Sequence, residues 1–162
     1  MRINGCCKYC FALLILIFLS CKSNDIKISS NGNLLQNELT ENKYIIFLPE
    51  NYTIESFNAE DFVVYYIYFD ETIQGGIYFG NHPSLHLEDS YDEYRKILTL
   101  KSELLGKITN WEIYYNGDNY YTEKIIENNK NEGWDNKIHL WIIRNTIDEI
   151  KETLNFYSTL KK

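Results

Sequence analysis

Three histidines are the residues of this chain best suited to acid–base or metal chemistry, and two lie close together in His82-Pro-Ser-Leu-His86. On a helix an i, i+4 pair could share an ion, but Pro83 lacks an N–H and clashes with the preceding turn, so the segment reads as a loop. In extended chain, at roughly 3.3 Å per residue, the two rings stand about 13 Å apart, beyond the reach of one ion. Glu88 and Asp89 could join His86 in a weak site, yet an exposed loop accounts for these residues and no metal is assigned. His139, between Ile138 and Leu140, reads as a hydrogen-bonded or edge-exposed strand histidine rather than a base. Ser84, Ser90 and Ser102 lack the flanking glycines of a nucleophile elbow. Glu60 and Asp61 read as a loop, and Asp89, Asp92 and Glu93 as a helix start, where the dipole favours negative charge. A glycosidase would need two carboxylates about 5–10 Å apart across a cleft, a separation that sequence does not show. No catalytic residue and no cofactor are expected.

Cysteine is confined to the leader. Cys6, Cys7, Cys10 and Cys21 are the four cysteines, and none occurs from position 22 to 162. The folded part therefore has no disulfide, thiolate nucleophile or Cys-based zinc site. Arg2 and Lys8 precede nine consecutive apolar residues, Phe11 to Leu19, a stretch too short to cross about 30 Å of hydrocarbon and typical of a signal peptide. The sequence Phe18-Leu19-Ser20-Cys21 that follows resembles the lipobox of bacterial lipoproteins, with Phe18 where that family prefers Leu. The resemblance implies cleavage after residue 20, lipid attachment at Cys21, and a membrane-anchored protein on the periplasmic or cell-surface side.

Over the whole chain 16 basic residues face 23 acidic ones, a net charge of −7 on 162 residues. Loss of residues 1–20 leaves 14 basic against 23 acidic residues, a net charge of −9. Such a chain cannot displace counterions from nucleic acid as a basic one does, so a basic protein partner fits better. The 44% hydrophobic and 15% aromatic content is enough for one packed domain.

The elements that must position these residues follow from period and punctuation. Residues 21–42, polar with scattered apolar positions, read as the lipidated Cys and a flexible tether, with the domain spanning 43–162. Tyr44–Leu48 is a strand stopped by Pro49, continued after a bend by Tyr52–Ile54. Phe62–Phe69 shows no polar alternation and predicts a central strand covered on both faces. Gly75–Phe79 is its neighbour. Tyr91, Tyr94, Leu98 and Leu105 fall on one helical side after the capping spacing Ser90-x-x-Glu93, which predicts a helix over 90–106. Trp111–Tyr115 and Tyr120–Ile126 make a hairpin through Asn116-Gly117. Lys137–Ile143 is another interior strand. A terminal helix follows the capping spacing Thr146-x-x-Glu149, with Ile147, Ile150, Leu154 and Tyr157 as its apolar stripe. The expected fold is thus an α+β layered sandwich, a mainly antiparallel sheet covered by helices, in the order β-β-β-α-β-β-β-α.

With Leu48-Pro49, the aromatic Tyr52, long antiparallel strands, an intervening helix and a closing helix from Ile147 to Leu160, residues 43–160 resemble the PsbP-like fold, including the DcrB-like lipoproteins. That resemblance implies accessory or assembly factors that bind other proteins. Tyr and Trp exceed the needs of a small core, so some should reach a binding face. Trp134, in a polar loop, is the first candidate contact, with Tyr120, Tyr121 and Trp111 beside it. The expected function is a non-enzymatic envelope lipoprotein binding another envelope or secreted protein, as an accessory factor or an immunity-type inhibitor. The alternative is a small-molecule or lipid-binding domain with its pocket between sheet and helix.

Overall fold

A computed structural model describes residues 33–40, 43–89, 93–127 and 136–162. Among them are nine strands: β1 Leu34–Leu39, β2 Tyr44–Pro49, β3 Tyr52–Asn58, β4 Phe62–Phe69, β5 Thr72–Gly80, β6 Arg95–Leu104, β7 Lys107–Tyr115, β8 Tyr120–Glu127 and β9 Lys137–Arg144. A four-residue helix α1, His86–Asp89, and a terminal helix α2, Ile147–Ser158, complete them. Strands β3 to β9 form one seven-stranded antiparallel sheet in the order β3-β4-β5-β9-β8-β7-β6, and β1 pairs with β2 in a separate two-stranded ribbon.

This mostly-sheet architecture corrects the expected helix-covered sandwich. The chief error lies at residues 90–106, where strand β6 replaces the expected helix. From Leu98 the chain alternates half-buried Leu98, Leu100 and Ser102 and buried Leu104 with exposed Thr99, Lys101 and Glu103, a period of two. A register shift between Lys96 and Leu98 breaks the alternation and leaves Ile97 exposed, so the apolar positions imitate a helical spacing. The capping position Ser90 lies outside the described residues. A second correction is β1, which occupies part of the stretch expected to be tether.

The remaining elements form for the reasons their sequences carry. Asn116 Oδ1 accepts from the amides of Asp118 at 3.0 Å and Asn119 at 2.8 Å, and Gly117 has φ +106°, which closes the β7–β8 hairpin. Helix α2 has a complete capping box: the Glu149 amide donates to Thr146 Oγ1 at 3.2 Å and the Thr146 amide donates to Glu149 Oε2 at 2.9 Å.

The core lies on one face of the large sheet. Ile67, Ile77, Phe79, Trp111, Ile113, Ile138, Leu140 and Ile142 point there and meet Ile150, Leu154 and Tyr157 of α2 and Tyr44, Ile46 and Leu48 of β2. Each fully buried aliphatic side chain of this layer contributes about 1.5–3 kcal/mol. The C-terminus closes the layer, for Lys161 exchanges two backbone hydrogen bonds with Ile45 at 2.8 and 3.0 Å. The opposite face bears no helix of comparable length among the described residues; the segment Asn81–Asp89 with α1 crosses part of it. Continuous apolar runs in β4 and β9 suggested cover on both faces. Their outward positions instead hold large rings that shield one another sideways: Tyr66 against Trp141 at 6.1 Å, and Trp141 against His139 at 5.5 Å.

Candidate functional site

The face opposite α2 is laid out by register. Antiparallel pairing sets Tyr66, Gly76 and Trp141 in one row across β4, β5 and β9, with Glu123 of β8 opposite Trp141. The neighbouring row holds Val64, Tyr78, His139 and Ile125. Strand β5, which both rows cross, is low at two positions on this face, Gly76 and Gly80. A Cβ on Gly76 would collide with the six-membered ring of Trp141 and stand 2.7 Å from the Tyr65 carbonyl; a Cβ on Gly80 would collide with the Tyr78 ring. Two missing side chains thus let two rings fold down over the backbone. Tyr78 stacks on Phe62 at 5.6 Å and 25°, and Phe62 contacts Phe57 at 6.0 Å, the latter 56% exposed at the sheet margin.

A cleft of about 630 Å³ opens over this floor, with His82, Ser84 and His86 from the crossing segment on its other side. All three histidines of the chain line it, including His139. The junction of segment and sheet is the Glu123 carboxylate, which is only 5% exposed. Its Oε2 accepts from His139 Nε2 at 2.9 Å, from the Tyr121 hydroxyl at 3.0 Å and from the His86 amide at 3.2 Å; its Oε1 accepts from the Leu87 amide at 3.1 Å. Burial alone would raise the pKa of Glu123, but the hydrogen bonds from His139, the Leu87 amide and Tyr121 outweigh it and hold the carboxyl below its ordinary value. The same burial, with the adjacent Glu123 charge, pushes the Tyr121 phenol well above its ordinary value. An ionised Glu123 can only accept, so His139 carries a proton on Nε2, and in the neutral ring Nδ1 is the acceptor. Four donors on one carboxylate make it a clamp for His139 and for the segment, and a poor proton acceptor.

The expected contact residues are separated by the fold. Trp111 is fully buried in the core, with no hydrogen-bond partner for its indole N–H among the described residues, which removes it from any contact surface. Tyr120 is half-buried on the helix-covered face, stacked on Tyr115 at 4.6 Å. Tyr121, 3% exposed, lines the cleft and touches His86 at 4.8 Å. Trp134 and Cys21 lie outside the described residues. The segment expected as a loop carries His86 at the first residue of α1, and His82 and His86 line one cleft; among the described residues there is no group of three or more His, Cys, Asp or Glu that could hold a metal ion. Reading the sequence missed Glu123 and Gly76. Glycine inside a strand pattern is a signal of close approach and was there to be used, whereas Glu123 is one acid among many until pairing sets it diagonal to His139.

A second cavity, about 1090 Å³, lies between the sheet and the end of α2, with Leu104, Ile126, Ile138 and Leu160 on its walls and Lys107 and Lys124 also lining it. Among the described residues no helix is long and apolar enough to cross a membrane. Compared with family models, with curated proteins and with solved structures, the chain finds no match. The lipobox resemblance therefore rests on the residues quoted above, and the PsbP-like one loses its intervening helix, which is strand β6.

Proposed function

We propose that this chain is a lipid-anchored envelope protein that binds another protein through the aromatic face opposite α2, without chemical conversion of what it binds. The observation that carries the reading is the concentration of rings around one cleft on a face that α2 leaves open: Phe57, Phe62, Tyr66, Tyr78 and Trp141. Aromatic side chains in partly desolvated pockets are the usual anchors of protein interfaces. The saturated Glu123 supports binding over catalysis. The acidic charge would speed the approach of a basic partner. Anchoring at Cys21 belongs to the same proposal and follows from the leader.

The test is capture of envelope proteins by the full-length chain in detergent, with Phe57→Ser and Tyr66→Ser on the open face and Lys151→Ala on α2 as control. The reading requires a partner that both open-face variants lose and the control keeps. Retention by all three variants ends it. Mass spectrometry of the cell-extracted protein should find cleavage before a diacylated Cys21; an intact leader would remove the anchor. A lipid or other small molecule held between sheet and helix is the second reading, favoured by the 1090 Å³ cavity with its apolar walls and lysines.

A further inference from the structure

We propose that the cleft on the open face takes an organic cation, a guanidinium or ammonium group on a carbon stem; this rests on the reading of that face as the binding surface. The rings make up much of the floor of the cleft. Tyr66 and Trp141 already meet edge to face, 6.1 Å between centroids and at 76°, so a bound group would lie on a ring face turned toward the cleft rather than between the two, and Tyr78 and Tyr121 add two more rings to the lining. Each ring face is the negative pole of a quadrupole and attracts a cation, most strongly for Trp.

Charge points the same way. Among the described residues lining the cleft there is no Lys and no Arg, while Asp61 stands at its edge beside Phe62. The ionised Glu123 lies behind Tyr121 and His139. Among the described lining residues an anion would find neutral donors, the Ser84 hydroxyl, the Trp141 indole N–H, imidazoles and phenols, together with the repulsion of Asp61. A neutral ring could stack on Trp141 but would gain nothing from the carboxylate. The volume of about 630 Å³ exceeds what one guanidinium fills, leaving space for its stem and neighbouring atoms.

Such a cation could be a free small molecule or a basic side chain of a protein, and the two are separable. The full-length chain in detergent is titrated by NMR with benzamidinium, benzamide and benzoate, which share a ring and differ in charge. Benzamidinium should bind at least tenfold tighter than benzamide, and benzoate more weakly than either. Asp61→Asn should weaken benzamidinium three- to tenfold and leave benzamide unchanged; Asp61 is exposed, and a thermal melt verifies that the variant is folded. Tyr66→Leu should weaken benzamidinium by a similar factor. N-acetylarginine amide and an arginine-centred decapeptide then assign the source: tighter binding of the peptide by tenfold or more means a basic protein segment, and equal binding means a free cation. Equal affinities across the charge series, preference for benzoate, or no benzamidinium binding at millimolar concentration would overturn the proposal. Loss of the captured partner on Phe57→Ser would in that case leave the interface reading standing.

Discussion

The two faces of the seven-stranded sheet start from the same alternation of side chains and end in different states. On the covered face Ile138, Leu140 and Ile142 of β9 are buried by α2 and β2. On the other face the intervening His139 and Trp141 are covered largely by neighbours in the same layer, by the segment Asn81–Asp89, and by a buried carboxylate. Aliphatic residues need a second layer to leave water, because they offer only area. Rings and hydrogen-bonding groups can shield one another within a single layer and still present faces outward. The covered face therefore holds the fold, and the open face carries the rings on which the proposed contact rests.

Substitutions can break that division in order of expected effect. Leu154→Ala, in the layer between α2 and the sheet, should cost about 2–5 kcal/mol by chemical denaturation, since it leaves a cavity in a closed core. A cost under 1 kcal/mol would mean that α2 does not hold the sheet. Gly76→Ala should cost about 1–3 kcal/mol through overpacking against Trp141 and the Tyr65 carbonyl; its crystal structure or Trp fluorescence should show Trp141 displaced, and an undisplaced ring would contradict that close approach.

Glu123→Gln removes a charged acceptor from four donors and should cost about 1–3 kcal/mol, concentrated in faster hydrogen exchange at His86 and Leu87. Its pH dependence has a definite sign. The native pKa lies below the ordinary 4.5, so the stabilisation is complete above that value and is lost as pH falls through the depressed native one. Wild type should thus lose stability faster than Glu123→Gln on acidification below about pH 5; parallel curves would mean that the clamp carries no net energy. The smallest effect belongs to Phe57→Ser, exposed at the margin of the open face, which should change stability by less than about 0.5 kcal/mol while weakening partner binding. A large melting shift would make Phe57 a structural residue.

Much of the covered face was legible in sequence. The strands at 44–49, 62–69 and 137–144, the Asn116-Gly117 hairpin and the capped helix with Ile150, Leu154 and Tyr157 on its inner stripe depend on local period and local caps. Residues 95–104 were not legible as a strand, because a register shift at one residue converts an alternation into something a helix could also produce. The site was legible only in part. Tyr121 was singled out and does line the cleft, yet Trp111, singled out on the same ground of aromatic type, is core. Residue type does not say which way a strand faces, and Tyr120 and Tyr121, adjacent in sequence, go to opposite faces.

The sequence by itself determined the placement of charge, the confinement of cysteine to the first 21 residues, the local turns and caps, and a surplus of aromatic residues. These depend on residue types and on neighbours a few positions away. The tertiary structure alone decided which face α2 covers, that His82, His86 and His139 line one cleft, and that Glu123 joins β8 to the segment at His86 and Leu87. Those facts come from pairing β5 with β9 and β9 with β8 across tens of residues, and strand order and register are fixed by the packing of the whole sheet rather than by any local run of the chain.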